Sequence, residues 1–374
     1  MRLTMFRPFK LVAKYSLPLL LIVNNAVAYS SEVRREVFYV GGRYTEITVG
    51  NVTSKYMLGQ IYVEKLTPST VSQKLPIVFI HGAGQTGTNW LETPDGRPGW
   101  ASFFLGAGYV IYLSDQPMRG RSAWNPSIGS MFAFSISAVE SSFTDTENQG
   151  FWPQAKLHTQ WPGTGKVGDP IFDAFYAAQI QFQTAIVISE AQNAHAYAAL
   201  LDKIGAAHVI THSQAGPYGW RIGDMRTQLV NSIVALEPGD APFVPQFLNP
   251  GPGPGWGITY EEIAYEPTAG PNGTLLATVT VPSDDPNKQE CILQAEPAKK
   301  LKNLSQIPIL VVTGEASFHA PYDYCTVAYL KQAGVDVEHA DLGEEGIHGN
   351  GHMFFLEQNS AEIAERVLNW IQSL

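Results

Sequence analysis

The chain has 374 residues, 16% of them charged and 45% hydrophobic, with a formal net charge of −10. A low charged share beside an ordinary apolar share excludes a disordered chain, a coiled coil and a basic nucleic-acid binder. Thirty-four glycines and 25 prolines promise many turns, and two cysteines are too few for a disulfide scaffold or a Cys-based zinc site.

The first residues read as an export signal over 1–28. Arg2, Arg7, Lys10 and Lys14 form a basic leader with no acid, residues 17–23 an apolar core, and Ala26-Val27-Ala28 a small-x-small cleavage site. The apolar run is too short to span about 30 Å of hydrocarbon, so no stable membrane anchor is expected. The mature chain, residues 29–374, then reads as one domain of a secreted, extracellular or periplasmic protein. Export makes a Cys291–Cys325 bridge plausible on chemical grounds. It also gives meaning to the N-x-S/T triplets at Asn51, Asn272 and Asn303, which would accept glycans in a eukaryotic host.

Residues 35–68 alternate in polarity, with Gly41-Gly42 read as a turn, and suggest an antiparallel start to a sheet. From residue 76 the pattern changes to short, solidly apolar runs. They are Pro76-Ile77-Val78-Phe79-Ile80, Tyr109-Val110-Ile111-Tyr112-Leu113, Ala207-His208-Val209-Ile210, Ser232-Ile233-Val234-Ala235-Leu236 and Ile309-Leu310-Val311-Val312. Such runs suit parallel strands buried on both faces. Helical segments at 180–204 and 361–373 complete an α/β pattern, a mainly parallel central sheet flanked by helices. Two stretches break the alternation and read as cap or lid insertions. One, at about 124–178, is rich in aromatics. The other, at about 240–300, contains Gly251-Pro252-Gly253-Pro254-Gly255.

The strongest chemical signal is Thr211-His212-Ser213-Gln214-Ala215-Gly216, after one buried run and before a plausible helix. A serine on a sharp strand-to-helix turn is pushed into a pocket, and the turn favours small residues two positions either side. Ala215 fits; Thr211 is bulkier than the pattern prefers. Upstream, His81-Gly82-Ala83-Gly84 ends the first parallel run. There the amides of Ala83 and Gln214 could form an oxyanion hole. A serine needs a base. His352 precedes the anchoring run Met353-Phe354-Phe355-Leu356 and is preferred, with His348 as the alternative. His212 adjoins the serine and is expected to point away. A metal reading of His348 and His352 is disfavoured by the two glycines between them, and no metal is expected. Glu237 and Glu315 each end a buried run, and both remain open as the orienting acid.

These motifs resemble those of α/β-hydrolase esterases found in bacteria and fungi. So do Thr93-Pro94-Asp95-Gly96-Arg97, Asp115-Gln116, Arg119-Gly120-Arg121-Ser122, Leu236-Glu237-Pro238 and Gly349-Asn350-Gly351-His352-Met353. The resemblance runs from about residue 35 to the C-terminus. It implies the α/β-hydrolase fold and a Ser213–Glu237–His352 triad, with the acid on the strand directly after the serine turn and Glu315 second. It also implies cleavage of carboxylic esters or lactones through an acyl-enzyme. A secreted bacterial member carries two adjacent cysteines, joined to each other, in the oxyanion loop. Here that stretch is Gly82-Ala83-Gly84, so no property of such a bridge carries over. The 240–300 segment is also longer here. The partner expected is a small-molecule ester, neutral and with an apolar or aromatic portion, and no cofactor or nucleic acid is expected. The alternatives are an acyltransferase or lactonase in a secondary-metabolite pathway, and a catalytically silent binding protein on the same fold.

Overall fold

The computed structural model describes residues 32–125, 128–245 and 251–374; the export signal read at 1–28 lies outside them. Eight strands form the central sheet: β1 (Arg34–Val49), β2 (Val52–Thr67), β3 (Ile77–Ile80), β4 (Ile111–Asp115), β5 (Ala207–His212), β6 (Val230–Leu236), β7 (Ile309–Thr313) and β8 (Val337–Asp341). Their spatial order is β1-β2-β4-β3-β5-β6-β7-β8. The β1–β2 and β2–β4 pairs are antiparallel, and every later pair is parallel.

The apolar runs become strands because alternate residues feed two separate cores. Phe79, Ile210, Val234, Leu310 and Val312 face one cluster. Val78, Ile80, Val209, Ile233 and Val311 face the other. Helices α1 (Trp100–Gly106) and α5 (Ser360–Gln372) pack on the first face through Trp100, Phe104, Val367 and Trp370. Helices α2 (Ile186–Ile204) and α3 (Gly216–Met225) pack on the second through Tyr197, Leu200 and Trp220. A strand buried on both faces has no polar register to display, and this explains the continuous apolar runs.

Two details differ from the sequence reading. Gly41-Gly42 is not the hairpin turn. Both glycines lie inside β1 with φ of 71° and 80°, where the register passes from Gly41↔Gln60 to Arg43↔Leu58; the turn falls at Gly50-Asn51. Strand β8 went unread because it is an edge strand whose Glu338, His339 and Asp341 break the apolar pattern.

Cys291 and Cys325 are disulfide-bonded, with Cα atoms 5.2 Å apart. The bridge ties the short strand Cys291–Gln294, inside the second insertion, to α4 (Asp323–Gln332). In the aromatic insertion, Phe134, Phe143, Trp152, Trp161, Phe172 and Phe175 are buried in the first core, while Phe132 and Phe151 are exposed.

Candidate active site

The carboxyl ends of the parallel strands gather the chemistry at one edge of the sheet, where such sheets hold their ligands. Ser213 follows β5 with φ of +54°, and Glu237 follows β6 with φ of +49°. Left-handed backbone is costly for a residue with a Cβ. Here both residues turn the chain sharply out of a strand. The bulky Thr211 is tolerated because α3 places Gly219 over it: a Cβ there would lie 2.9 Å from Thr211 Cγ2. The loop after β3 reaches the serine closely, since a Cβ on Gly82 would meet Ser213 Cβ at 3.0 Å.

The structure joins His352 to Glu237. The imidazole Nδ1 hydrogen-bonds Glu237 Oε2, and both side chains are buried. Glu237 also accepts from the Gly314 amide (2.7 Å) and the Ser317 hydroxyl (2.6 Å). Burial pushes its carboxyl up, to about 8, while His319, Ser317 and Gly314 act in the opposite direction. Burial, with His212 and His319 beside it, holds the His352 imidazole well below its ordinary value. With Nδ1 spent on Glu237, Nε2 is the free nitrogen of His352.

His212 lies against the histidine loop. Its ring lies 4.5 Å from that of His352, and its Nε2 is 3.1 Å from the His352 carbonyl oxygen, so it supports the histidine loop from below. The alternative acid and the alternative base pair with each other instead. His348 Nδ1 is 3.0 Å from Glu315, and Glu315 also accepts from the Gly349 amide at 2.8 Å.

Several residues that the sequence reading missed complete the site. His319 stacks on His352 at 4.9 Å and 8°, and its Nδ1 pairs with Asp323 at 2.8 Å. Burial opposes protonation of His319, but Asp323, with Glu237 and Asp240, outweighs it and raises the imidazole. Phe143 and Phe318 flank the His352 ring at 5.5 and 4.5 Å. From the aromatic insertion, His158 Nε2 reaches Glu357 at 2.7 Å, and Glu357 accepts from the Gly351 amide and from Asn350. The amides of Thr159 and Gln160 donate to the Gly349 carbonyl. The contacts of His158 with Glu357 and of Phe143 with His352 join residues far apart in the chain, and no local motif announces them.

Nitrogen or oxygen atoms of Glu237, His319 and His352 come within 4.8 Å of one another. Their hydrogen bonds already occupy these groups: His352 Nδ1 serves Glu237, His319 Nδ1 serves Asp323, and both Glu237 oxygens accept from neighbours. The arrangement suits a hydrogen-bonded relay better than a cation. His348 and His352 face different carboxylates, Glu315 and Glu237, and do not converge on a shared site.

Similarity to known proteins decides the family. A fungal protein (strain ATCC 74256) named probable secreted lipase phiG is 59% identical over 359 residues, spanning 94% of this chain and 95% of that one. The chain belongs to the α/β-hydrolase family of esterases and lipases. A solved structure described as a novel bacterial esterase matches 91% of this chain and 95% of its own, with a TM-score of 0.62 at 22% identity, and shares the fold. No family model matches the sequence.

Proposed function

We propose that this α/β-hydrolase cleaves carboxylic esters with Ser213 as nucleophile, His352 as base and Glu237 as the orienting acid. The chain is a secreted carboxylic-ester hydrolase acting on small-molecule esters, in keeping with its fungal relative. Among the described residues no helix is long and apolar enough to cross a membrane.

The observation that carries the residue assignment is the buried His352–Glu237 hydrogen bond, with Ser213 at positive φ after the strand that neighbours the one before Glu237. Glu237 accepts a hydrogen bond from Nδ1–H and so leaves His352 Nε2 as the acceptor. Ser213 Oγ gives its proton to Nε2 and forms a bond to the ester carbonyl carbon. The amides of Ala83 and Gln214 stabilise the resulting oxyanion. Collapse expels the alkoxide, which takes the proton from His352 and leaves as alcohol. Water, deprotonated by the same imidazole, then releases the acid and restores Ser213. The aromatic rings of Phe134, Phe143 and Phe318 beside the site favour an apolar or aromatic portion in the substrate. Asn51 and Asn272 are exposed and open to glycans, whereas the Asn303 amide donates to Asp224.

Replacing Ser213 by Ala tests the assignment. Hydrolysis of p-nitrophenyl butyrate should fall by about 10³-fold or more, with an unchanged circular-dichroism spectrum. Undiminished turnover would reject Ser213 as nucleophile.

A further inference from the structure

Arg119 is buried to 1% exposure, and among the described residues no carboxylate pairs with it. The nearby carboxylate of Asp115 is taken by Arg121 and by the Gly87 amide. A buried cation without a counter-ion is costly; Tyr218 and the Phe182 ring border the guanidinium, and two further hydrogen bonds call for an account. Arg119 Nη1 donates to the Gly82 carbonyl oxygen at 3.1 Å, and Nη2 donates to Gln214 Oε1 at 2.6 Å. These two residues belong to the two peptides assigned to the oxyanion hole.

The geometry points to Arg119 as the positioning residue of that hole: one guanidinium holds the carbonyl of one donor peptide and the side chain of the residue that carries the other donor. The inference rests on the Ser213 reading given above. In a trans peptide the C=O and the following N–H point in opposite directions. Holding the Gly82 oxygen from the buried side therefore turns the Ala83 N–H away from Arg119. The guanidinium also draws electron density toward the Gly82 oxygen and sharpens Ala83 N–H as a donor. The second arm fixes the Gln214 side chain, and with it the residue whose backbone N–H is the other donor.

A second group reinforces the clamp. The Gln116 amide donates to His81 Nε2 at 3.1 Å, so that nitrogen must be an acceptor and Nδ1 carries the proton. His81 Nδ1 then donates to the same Gly82 oxygen at 2.9 Å. Burial, with Arg119 adjacent, lowers His81 to about 3 and keeps it neutral. The carbonyl is thus held by one cationic and one neutral donor. Planar, two-armed geometry explains why arginine stands here, since an ammonium could not reach both oxygens in one fixed fork.

The test compares Arg119→Met, Arg119→Lys and Gln214→Leu with wild type, using p-nitrophenyl butyrate and a trifluoromethyl ketone that adds to the serine as a tetrahedral oxyanion. Losing one oxyanion donor typically costs about 10²–10³-fold in kcat. Arg119→Met should therefore lose about 10²-fold in kcat with KM within about threefold, and Arg119→Lys roughly 10-fold. Gln214→Leu, which cuts one arm only, should lose less than Arg119→Lys. In each variant, affinity for the ketone should fall in proportion to kcat/KM, a correlation that a merely structural defect does not produce. If Arg119→Met fails to fold, the other two variants carry the comparison. Ketone affinity unchanged in Arg119→Lys and Gln214→Leu would overturn the inference. Labelling wild type with a fluorophosphonate separates the two readings. An unlabelled Ser213 removes its assignment as the nucleophile, whereas a labelled Ser213 with indifferent Arg119 variants removes only the clamp.

Discussion

Two glutamate–histidine pairs share one loop, their histidines four residues apart, and they differ in almost everything but composition. Glu237 and His352 are sealed from solvent, whereas His348 keeps 66% and Glu315 23% of their side-chain surface exposed. The buried pair is braced on every side: Gly314 and Ser317 on the carboxylate, His212, His319, Phe143 and Phe318 around the imidazole. The exposed pair holds the Gly349 amide and little else. In water an ion pair of this kind is worth little, while in a dry site the same two groups fix a tautomer and a direction. The difference teaches that a base is made by its surroundings as much as by its residue type.

The largest expected effect breaks the comparison at the carboxylates. Glu237→Gln should lower kcat by about 10³–10⁴-fold, as loss of the orienting acid does in other serine hydrolases. Glu315→Gln keeps an acceptor for the Gly349 amide and should stay within about threefold. The reverse order, measured by steady-state hydrolysis, would move the acid to the exposed pair.

The next effect is on stability. Reducing the Cys291–Cys325 bridge, or replacing both cysteines by Ser, should cost about 3–4 kcal/mol for a loop of this size. Urea unfolding would read it, and the loss should appear without a matching loss of kcat in the folded fraction.

A third prediction concerns the strap from the aromatic insertion to the histidine loop. Burial acts to lower His158, but Glu357 and Glu147 outweigh it and carry the imidazole up to about 9. A raised histidine stabilises the folded state fully below its ordinary value near 6.5 and loses that contribution as pH rises through about 9. The thermal midpoint should therefore decline between pH 6.5 and 9.5, and His158→Gln should flatten that decline. An unchanged slope in the variant would detach the strap from stability.

The smallest effect is expected at the exposed histidine. His348→Ala should alter kcat by no more than about threefold, and a larger loss would show that the outer pair reaches the chemistry.

Much of this fold was legible because strands buried on two faces write themselves as unbroken apolar runs, and because a serine between β5 and α3 needs a recognisable set of neighbours. The edge strand β8 escaped because its polar Glu338, His339 and Asp341 interrupt the apolar run. The choice between Glu237 and Glu315 could not be made from spacing, since both end a buried strand; burial and a partner separate them, and neither is a local property. His319 and His158 are invisible for the same reason, and Arg119, although part of a recognisable motif, shows no role in the sequence. His158 and Glu357 stand 199 positions apart, and Arg119 and Gln214 stand 95 apart, so their meaning exists only after the sheet has brought them together.

The most direct test is the rate at which a fluorophosphonate labels Ser213 in wild type and in His352→Ala, followed by mass spectrometry of the Ser213 peptide. The account predicts rapid, stoichiometric labelling at Ser213 in wild type and a rate lower by about 10³-fold in the variant. Equal rates in the two proteins, or label on another residue, would contradict it.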